Sequence, residues 1–418
     1  MHSSDDAGLL SPYRVVDLTD ERGILCGKIL ADLGADVIQV EPPGGSSARR
    51  IGPFYHDQAE AERSLFWWSY AANKRSITLN LASSDGRALL KRLVQTADFL
   101  VESFSPGHLE RLGLGFNTLA AINPRLIVVS VTPFGQDGPY AHYKAADLTG
   151  VGMAGFMYLT GDPDRPPVRV GAPHFYLHGA AAGATGAMIA HAQRVQSGRG
   201  QHVDVSCQEA VTRTLAAAPQ LFAVEHTVIR RQGSYRQTGG TTFMRITWPC
   251  KDGFVNFQLS GGAGAGRGVN NMVRWMEEEG LGDPYLGSID WTTLGYGMIN
   301  KEMLERVVPP IERFLMSHTK AELFEGAVKR RILLFPVATP SDILQNPQLQ
   351  ARQYFQRVTP PELGTPVTYP GPFVRASATP LTLRRLAPKL GEHNEDVYVT
   401  ELGLTREDLV RLREAGVV

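Results

Sequence analysis

YRVVDLTDERGILCGKILADLGADVIQVE, residues 13–41, is the stretch whose reading decides the fold. Residues 13–18 read as a short buried strand around Val15 and Val16. Residues 23–33 follow with apolar side chains at Ile24, Leu25, Ile29, Leu30 and Leu33, which is helical spacing. Gly34 closes that helix, and residues 36–41 return to strand character. Strand, helix and strand in this order form a βαβ unit, and the crossover makes the two strands parallel. No GxGxxG follows the first strand, so the dinucleotide fingerprint is missing.

Working outward, the alternation continues. Residues 73–81 (NKRSITLNL) predict a strand, 84–95 a helix, 99–102 a strand and 126–131 a strongly apolar strand. A doubly wound α/β domain with a parallel sheet follows. Residues 166–206 open with two prolines that forbid helix. From about Gly179 they turn into a helix rich in glycine and alanine, whose bare face lets a backbone or a flat ligand come close. A strand at 201–206 and a helix from Gln208 to about Leu221 come next. Residues 225–330 change character, with glycine-rich stretches at 239–240 and 260–266, a strand at 254–259 and amphipathic helices near 268–278 and 301–317. They predict a smaller α+β domain. An apolar strand at 333–337, a short helix at 341–344 and a last helix at 406–414 complete the chain. The expected division is 1–224 and 331–418 for the large domain and 225–330 for the small one.

Composition excludes several classes. Lys plus Arg and Asp plus Glu both total 42, so the balanced charge argues against a nucleic-acid partner. The three cysteines, Cys26, Cys207 and Cys250, show no metal-ligand spacing and fit a reduced, cytoplasmic setting. No basic-then-apolar leader opens the sequence, and no run reaches about 18 apolar residues, so neither a secretory signal nor a membrane span is expected.

Five stretches together resemble one family over nearly the full length, the class III CoA-transferases with their racemase and carnitine-pathway relatives. They are LADLGADVIQVEPPGG at 30–45, NKRSITLNL at 73–81, ADFLVESFSPGHLERLGLG at 97–115, SGRGQHVDVS at 197–206 and APKLGEHNEDVYVTELGL at 387–404. The resemblance implies a Rossmann-like large domain built from both chain ends, a smaller domain between them, and two subunits interlocked as a dimer. It implies transfer of CoA from an acyl-CoA to a carboxylic acid, with no prosthetic group and no metal. An aspartate attacks the thioester to form a mixed anhydride, CoA thiolate returns to give an enzyme thioester, and the acceptor acid displaces it.

Carried over residue by residue, the family's pattern shows one large departure. The aspartate's position, nine residues after Pro167, holds Tyr176, and residues 165–203 contain no Asp or Glu. A phenol, with an ordinary pKa of about 10, forms no mixed anhydride. His174 and His178 flank it as possible auxiliaries, and Lys144 with Asp147 matches the family's Lys and acid pair. The helper glutamine aligns with Glu21, followed by Arg22. The usual Asn is Ser103, and Ala146 stands where the racemase branch has its histidine. Features facing CoA are better kept. Lys74 and Arg75 match cations near the phosphates, Phe104 the aromatic near adenine, and Arg111 and Leu112 follow in register. Gly261, Gly262 and Gly264 belong to a stretch resembling the loop that covers the reactive aspartate. Arg49 and Arg50 read equally as surface loop and as ligand contacts.

The resemblance therefore implies a subunit without a nucleophile, paired with a homologous subunit that carries the aspartate. Succinyl-CoA as donor and benzylsuccinate as acceptor come with that subunit type. Two alternatives stay open: a homodimeric enzyme with altered thioester chemistry, and a CoA-thioester binding protein without enzymatic activity.

Overall fold

The computed structural model describes residues 8–215, 217–237, 243–295, 298–360 and 363–418. The pair Gly239 and Gly240 and the first seven residues lie outside them. Two units are distinct: Met1–Ala154 with Ala172–Thr214 and Pro347–Val418, and Gly155–Gly171 with Leu215–Asn346.

Parallel strands carry the first unit. In chain order its elements are β1 (Arg14–Asp17), α1 (Ile24–Asp32), β2 (Asp36–Glu41), α2 (Leu65–Ala71), β3 (Lys74–Thr78), α3 (Ser84–Val94), β4 (Phe99–Glu102), α4 (His108–Arg111), α5 (Phe116–Ile122) and β5 (Ile127–Thr132). Then come α6 (Asp147–Met153), α7 (His174–Ser197), β6 (His202–Ser206) and α8 (Cys207–Thr212). The six strands lie in the order β3-β2-β1-β4-β5-β6, every pair parallel. β5 is buried at every position, as a parallel strand covered on both faces must be. Val16, Ile38, Leu100 and Val128 face α3 and α5 in one core. α1 and α7 cover the opposite face. The expected doubly wound sheet is therefore the frame of this unit.

In the second unit the elements are α9 (Ala218–Glu225), β7 (Tyr235–Gln237), β8 (Phe243–Arg245), β9 (Thr247–Cys250), β10 (Gly253–Phe257), α10 (Ala265–Glu278), α11 (Pro284–Gly287), α12 (Lys301–Met316), α13 (Lys320–Arg330), β11 (Leu334–Pro336) and α14 (Pro340–Gln345). An antiparallel sheet β11-β10-β9 and helices α10, α12 and α13 enclose a core of Trp248, Phe257, Met272, Trp275 and Phe314. The chain then returns to the first unit as α15 (Pro347–Ala351), the hairpin of β12 (Phe355–Val358) and β13 (Val367–Pro370), a π-helical turn Glu395–Glu401 and α16 (Arg406–Glu414).

Three sequence expectations change. Leu334 pairs with Phe257 in the second unit's sheet, so residues 331–346 do not join the large unit as expected. A three-residue apolar strand carries no mark of which sheet it will join. The helix expected from Gln208 to about Leu221 is two, α8 and α9, and the unit boundary falls between them. Most important for the site, α7 begins at His174, five residues before the glycine-rich run, so Tyr176 sits in its first turn and not in a loop. Asp147 of α6 explains the early start. Its Oδ1 accepts the Phe175 amide at 2.9 Å and satisfies one of the donors that a helix start leaves open.

The bare face of α7 is used for packing. A Cβ on Gly179 would stand 2.3 Å from the Cys207 Sγ of α8, and one on Gly183 would stand 3.1 Å from Val131 of β5. The small residues let helix and sheet approach each other, which is a structural use rather than the ligand contact that their composition also allowed.

Candidate functional site

In a doubly wound sheet, ligands gather at the carboxyl ends of the strands where the strand order reverses. Here the chain leaves β1 for β2 and β3, then returns to β4 on the other side of β1. The loops after β1 and β4 part at that point. Beside them lies a cleft of about 250 Å³, bounded by Leu18, Thr19 and Asp20 after β1, Pro42 and Ser46 after β2, Asn80 after β3, and Phe104 and His108 after β4. Pockets for drug-sized ligands hold roughly 300–1,000 Å³, so this cleft suits one flat ring system and its immediate substituents.

Three strands end in a buried acid at this edge: Asp17 on β1, Glu41 on β2 and Glu102 on β4. Asp17 accepts from Lys74 Nζ at 2.8 Å and from the Thr19 amide and hydroxyl at 3.0 and 2.6 Å. Glu41 accepts from Arg49 at 2.6 and 2.8 Å and from the Ser76 hydroxyl at 2.6 Å. Glu102 differs, because the groups bonded to it are neutral. It accepts the Phe104 amide at 2.7 Å and has the Ser130 hydroxyl beside it, and burial pushes its carboxyl up to about 7 although both favour the charged form.

These pairings bear on the sequence reading of the cations. Lys74 is fully buried, and its three ammonium hydrogens go to Asp17, the Ile24 carbonyl at 2.9 Å and Gln39 Oε1 at 2.9 Å. Arg75 points to the other face of the sheet, as the next residue in a strand must. There it pairs with Asp36 at 2.9 and 2.6 Å and with Glu401 at 2.5 Å. Lys74 has thus spent all three of its hydrogens, and Arg75 is held between two carboxylates. Arg49 is likewise taken, by Glu41, Glu62 and the Pro388 carbonyl, with its guanidinium 3.9 Å over the Trp67 ring. Sequence shows two adjacent cations at a strand entry; only the fold shows the carboxylates waiting on either face.

The remaining candidates fall in three places. Phe104 lines the cleft and stacks on His108, ring centroids 4.7 Å apart. Arg111 is exposed at the end of α4, while Leu112 packs against the core and serves the fold. At the start of α7, the Tyr176 hydroxyl donates to the Ala145 carbonyl at 2.6 Å. Burial pushes that phenol up to about 12, opposed by the charge of Arg22. Arg22 is itself held by both oxygens of Asp20 at 2.6 to 3.0 Å, and Asp20 accepts the Ser103 hydroxyl at 3.0 Å. Glu21 accepts the Ser47 hydroxyl. The His174 and His178 rings lie 5.5 Å apart on successive turns, and burial, then the neighbouring imidazole, lowers His178. Lys144 is exposed; Asp147, three residues on, is buried beneath the α7 start. The glycine stretch lies in the second unit. The Gly262 amide bonds the Trp291 carbonyl at 3.0 Å, and α10 starts at Ala265, so the segment is shorter and more tethered than its composition suggests.

One group escaped the sequence reading, Glu102, whose carboxylate accepts the Phe104 amide. An acid closing an apolar parallel strand, as in RVVD and FLVE, was the available signal. Among the described residues no His, Cys, Asp and Glu cluster could hold a metal ion, and no helix is long and apolar enough to cross a membrane.

Known proteins share this arrangement. The sequence pattern of CoA-transferase family III matches residues 10–394. Over 409 residues the chain is 36% identical to the succinyl-CoA:(R)-benzylsuccinate CoA-transferase subunit BbsE of Thauera aromatica, covering 98% of each. It is 33% identical to the succinyl-CoA--D-citramalate CoA-transferase of Chloroflexus aurantiacus, covering 95% of this chain and 94% of that one. A CAIB/BAIF family protein from Brucella suis superposes with a TM-score of 0.79 at 27% identity, over 94% of this chain and 99% of the other. With a doubly wound sheet, a cleft at its reversal point and a match running through nearly every element, the chain belongs to CoA-transferase family III.

Proposed function

We propose that this chain is the subunit of a heteromeric class III CoA-transferase that lacks the nucleophile, and that it works with a homologous subunit carrying the aspartate. The observation that carries the reading is Tyr176. Its oxygen stands in the first turn of α7, where the family pattern puts the attacking carboxylate, and it is engaged with the Ala145 carbonyl at 2.6 Å. A phenol pushed up to about 12 is almost wholly protonated at neutral pH and offers no anion for attack on a thioester. The nearby acids are occupied, Asp20 by Arg22 and Ser103, Glu21 by Ser47.

In this reading the chain supplies half of an interlocked assembly and retains a CoA-binding surface. The cleft takes the adenine against Phe104. Since Lys74 and Arg75 are committed to carboxylates, the phosphate contacts fall to the exposed cations Arg50 and Arg111 on the bordering segments. The Thauera relative's name supports a subunit role, succinyl-CoA as donor and benzylsuccinate as acceptor. The partner's aspartate then forms and breaks the acyl bonds.

The test is co-expression with a paralogue that has Asp at the tip of its α7. CoA exchange between succinyl-CoA and benzylsuccinate, followed by chromatography, is expected from the mixture alone and is lost when the partner's Asp becomes Ala. Exchange by the purified chain alone would overturn the proposal. Tyr176→Asp by itself is expected to stay inactive, because Glu21 and Ser103 also differ from the residues that orient the carboxylate in the family.

A further inference from the structure

Glu102, Ser130 and His202 lie on one face of the sheet across β4, β5 and β6, with Glu102 closing β4 and His202 opening β6. Glu102 and Ser130 are paired in register, and the Ser130 oxygen lies 2.9 Å from His202 Nε2. The Ser130 hydroxyl stands next to Glu102 across the strand pair and favours its ionised form, so it lies between an acid and an imidazole. The other end of the row reaches the cleft. Glu102 Oε2 accepts the amide of Phe104 at 2.7 Å, and Phe104 is the aromatic wall. Between them, Ser103 fastens Asp20, which grips Arg22 beside Tyr176. Three consecutive residues thus join a buried acid to both parts of the site.

We propose that Glu102 is a positioning residue: its hold on the Phe104 amide sets the wall against which CoA lies, and the uptake of a proton from solvent by Glu102 weakens that hold. This rests on the CoA-binding role proposed above.

The proton comes from solvent: as pH falls, the Glu102 carboxylate takes up one proton from water and loses its charge, while Oε2 can still accept the Phe104 amide. Burial is the main reason that the acid is pushed up to about 7, and the surrounding charges divide. Glu110 of α4 raises it and Arg22 after β1 lowers it. His108 of α4 adjoins the row, and burial and Arg111 keep that ring below its ordinary value. His202 is lowered by burial and raised by Asp204 and Glu110. No full counter-charge bonds Glu102, so its proton is free to come and go near neutrality.

The ionised acid holds the amide by a charge-assisted bond, about twice as strong as a neutral one. CoA binding should therefore weaken as pH falls through about 7. The phosphate of CoA also titrates, near 6, but equally in every variant. The experiment is calorimetric titration of the full chain with CoA from pH 5.5 to 8.5, for wild type, Glu102→Gln and Phe104→Ala, with melting temperatures over the same range. Glu102→Gln keeps the acceptor for Phe104 and removes the proton uptake. The wild-type Kd is expected to rise about three- to tenfold more on acidification than that of Glu102→Gln. Phe104→Ala should bind weakly throughout and lose the same pH component.

The melting temperature reads the titration without ligand. The folded acid, at about 7, lies above its ordinary 4.5, so its favourable neutral form is lost as pH rises through about 7. Glu102→Gln should therefore gain about 2–4 °C over wild type between pH 5 and pH 8. A flat difference in melting temperature overturns the proposal, as does a shared pH profile of CoA binding. If CoA binds wild type at no pH while the melting difference keeps its slope, the CoA reading fails and the coupling with it, and the titration of Glu102 stands alone.

Discussion

The two halves of the sheet treat the buried acids that close their strands in opposite ways. On the β1–β2–β3 side, every buried acid meets a cation: Asp17 meets Lys74 and Glu41 meets Arg49. On the β4–β5–β6 side, Glu102 meets an amide and a hydroxyl. The difference teaches how to separate structural charges from adjustable ones. A buried ion pair with all of its hydrogen bonds made is locked, because removing either partner strands the other in low dielectric. A buried acid bonded only to neutral donors keeps its shape in both protonation states, so its charge can change without unfolding the site. Position in the sequence does not distinguish them, since both classes close apolar strands.

The contrast can be broken by experiment, and the paired half should break hardest. Lys74→Met strips Asp17 of its counter-charge where neither side chain is exposed to solvent, and should cost about 3–5 kcal/mol in chemical denaturation. Adding Asp17→Asn to that variant should recover part of the loss. If the double variant is no more stable than Lys74→Met, the pair is not what holds this half together.

Gly27 sharpens the same point with a smaller effect. It lies on α1 directly over the ion pair, and an added Cβ would stand 1.9 Å from Asp17 Oδ2 and 3.1 Å from Lys74 Nζ. Gly27→Ala should cost about 1–3 kcal/mol through forced displacement, although alanine is the better helix former by about 1 kcal/mol. A stabilised Gly27→Ala variant, measured by urea midpoint, would show that the pair can move aside freely.

The neutral half should yield the least. Ser130→Ala removes the hydroxyl between Glu102 and His202 and should cost about 1 kcal/mol, with the Glu102 titration moving to higher pH because a hydroxyl that favours the ionised form is gone. A loss as large as that of Lys74→Met would put both halves in the same class.

Much of the frame was legible in the residues. The βαβ periodicity of 13–41, the apolar strand at 126–131 and the final helix at 406–414 stand where the sequence put them, because period and caps are local properties. The candidate site was legible only in part. Phe104 was found by motif and does line the cleft. The carboxylate pairings of Lys74 and Arg75 were not legible, because the partners are far along the chain: Asp17 lies 57 residues away and Glu401 lies 326 residues away. Tyr176 was placed in a loop because its turn of α7 has no local cap; the cap is Asp147, 28 residues earlier.

By itself, then, the sequence determined the alternation of strands and helices, the family pattern, and the lack of any acid in residues 165–203. The tertiary structure decided which charges are spent and which are spare. Hydropathy and spacing act over a few residues, whereas the protonation and availability of a buried group depend on whichever distant segment folds against it.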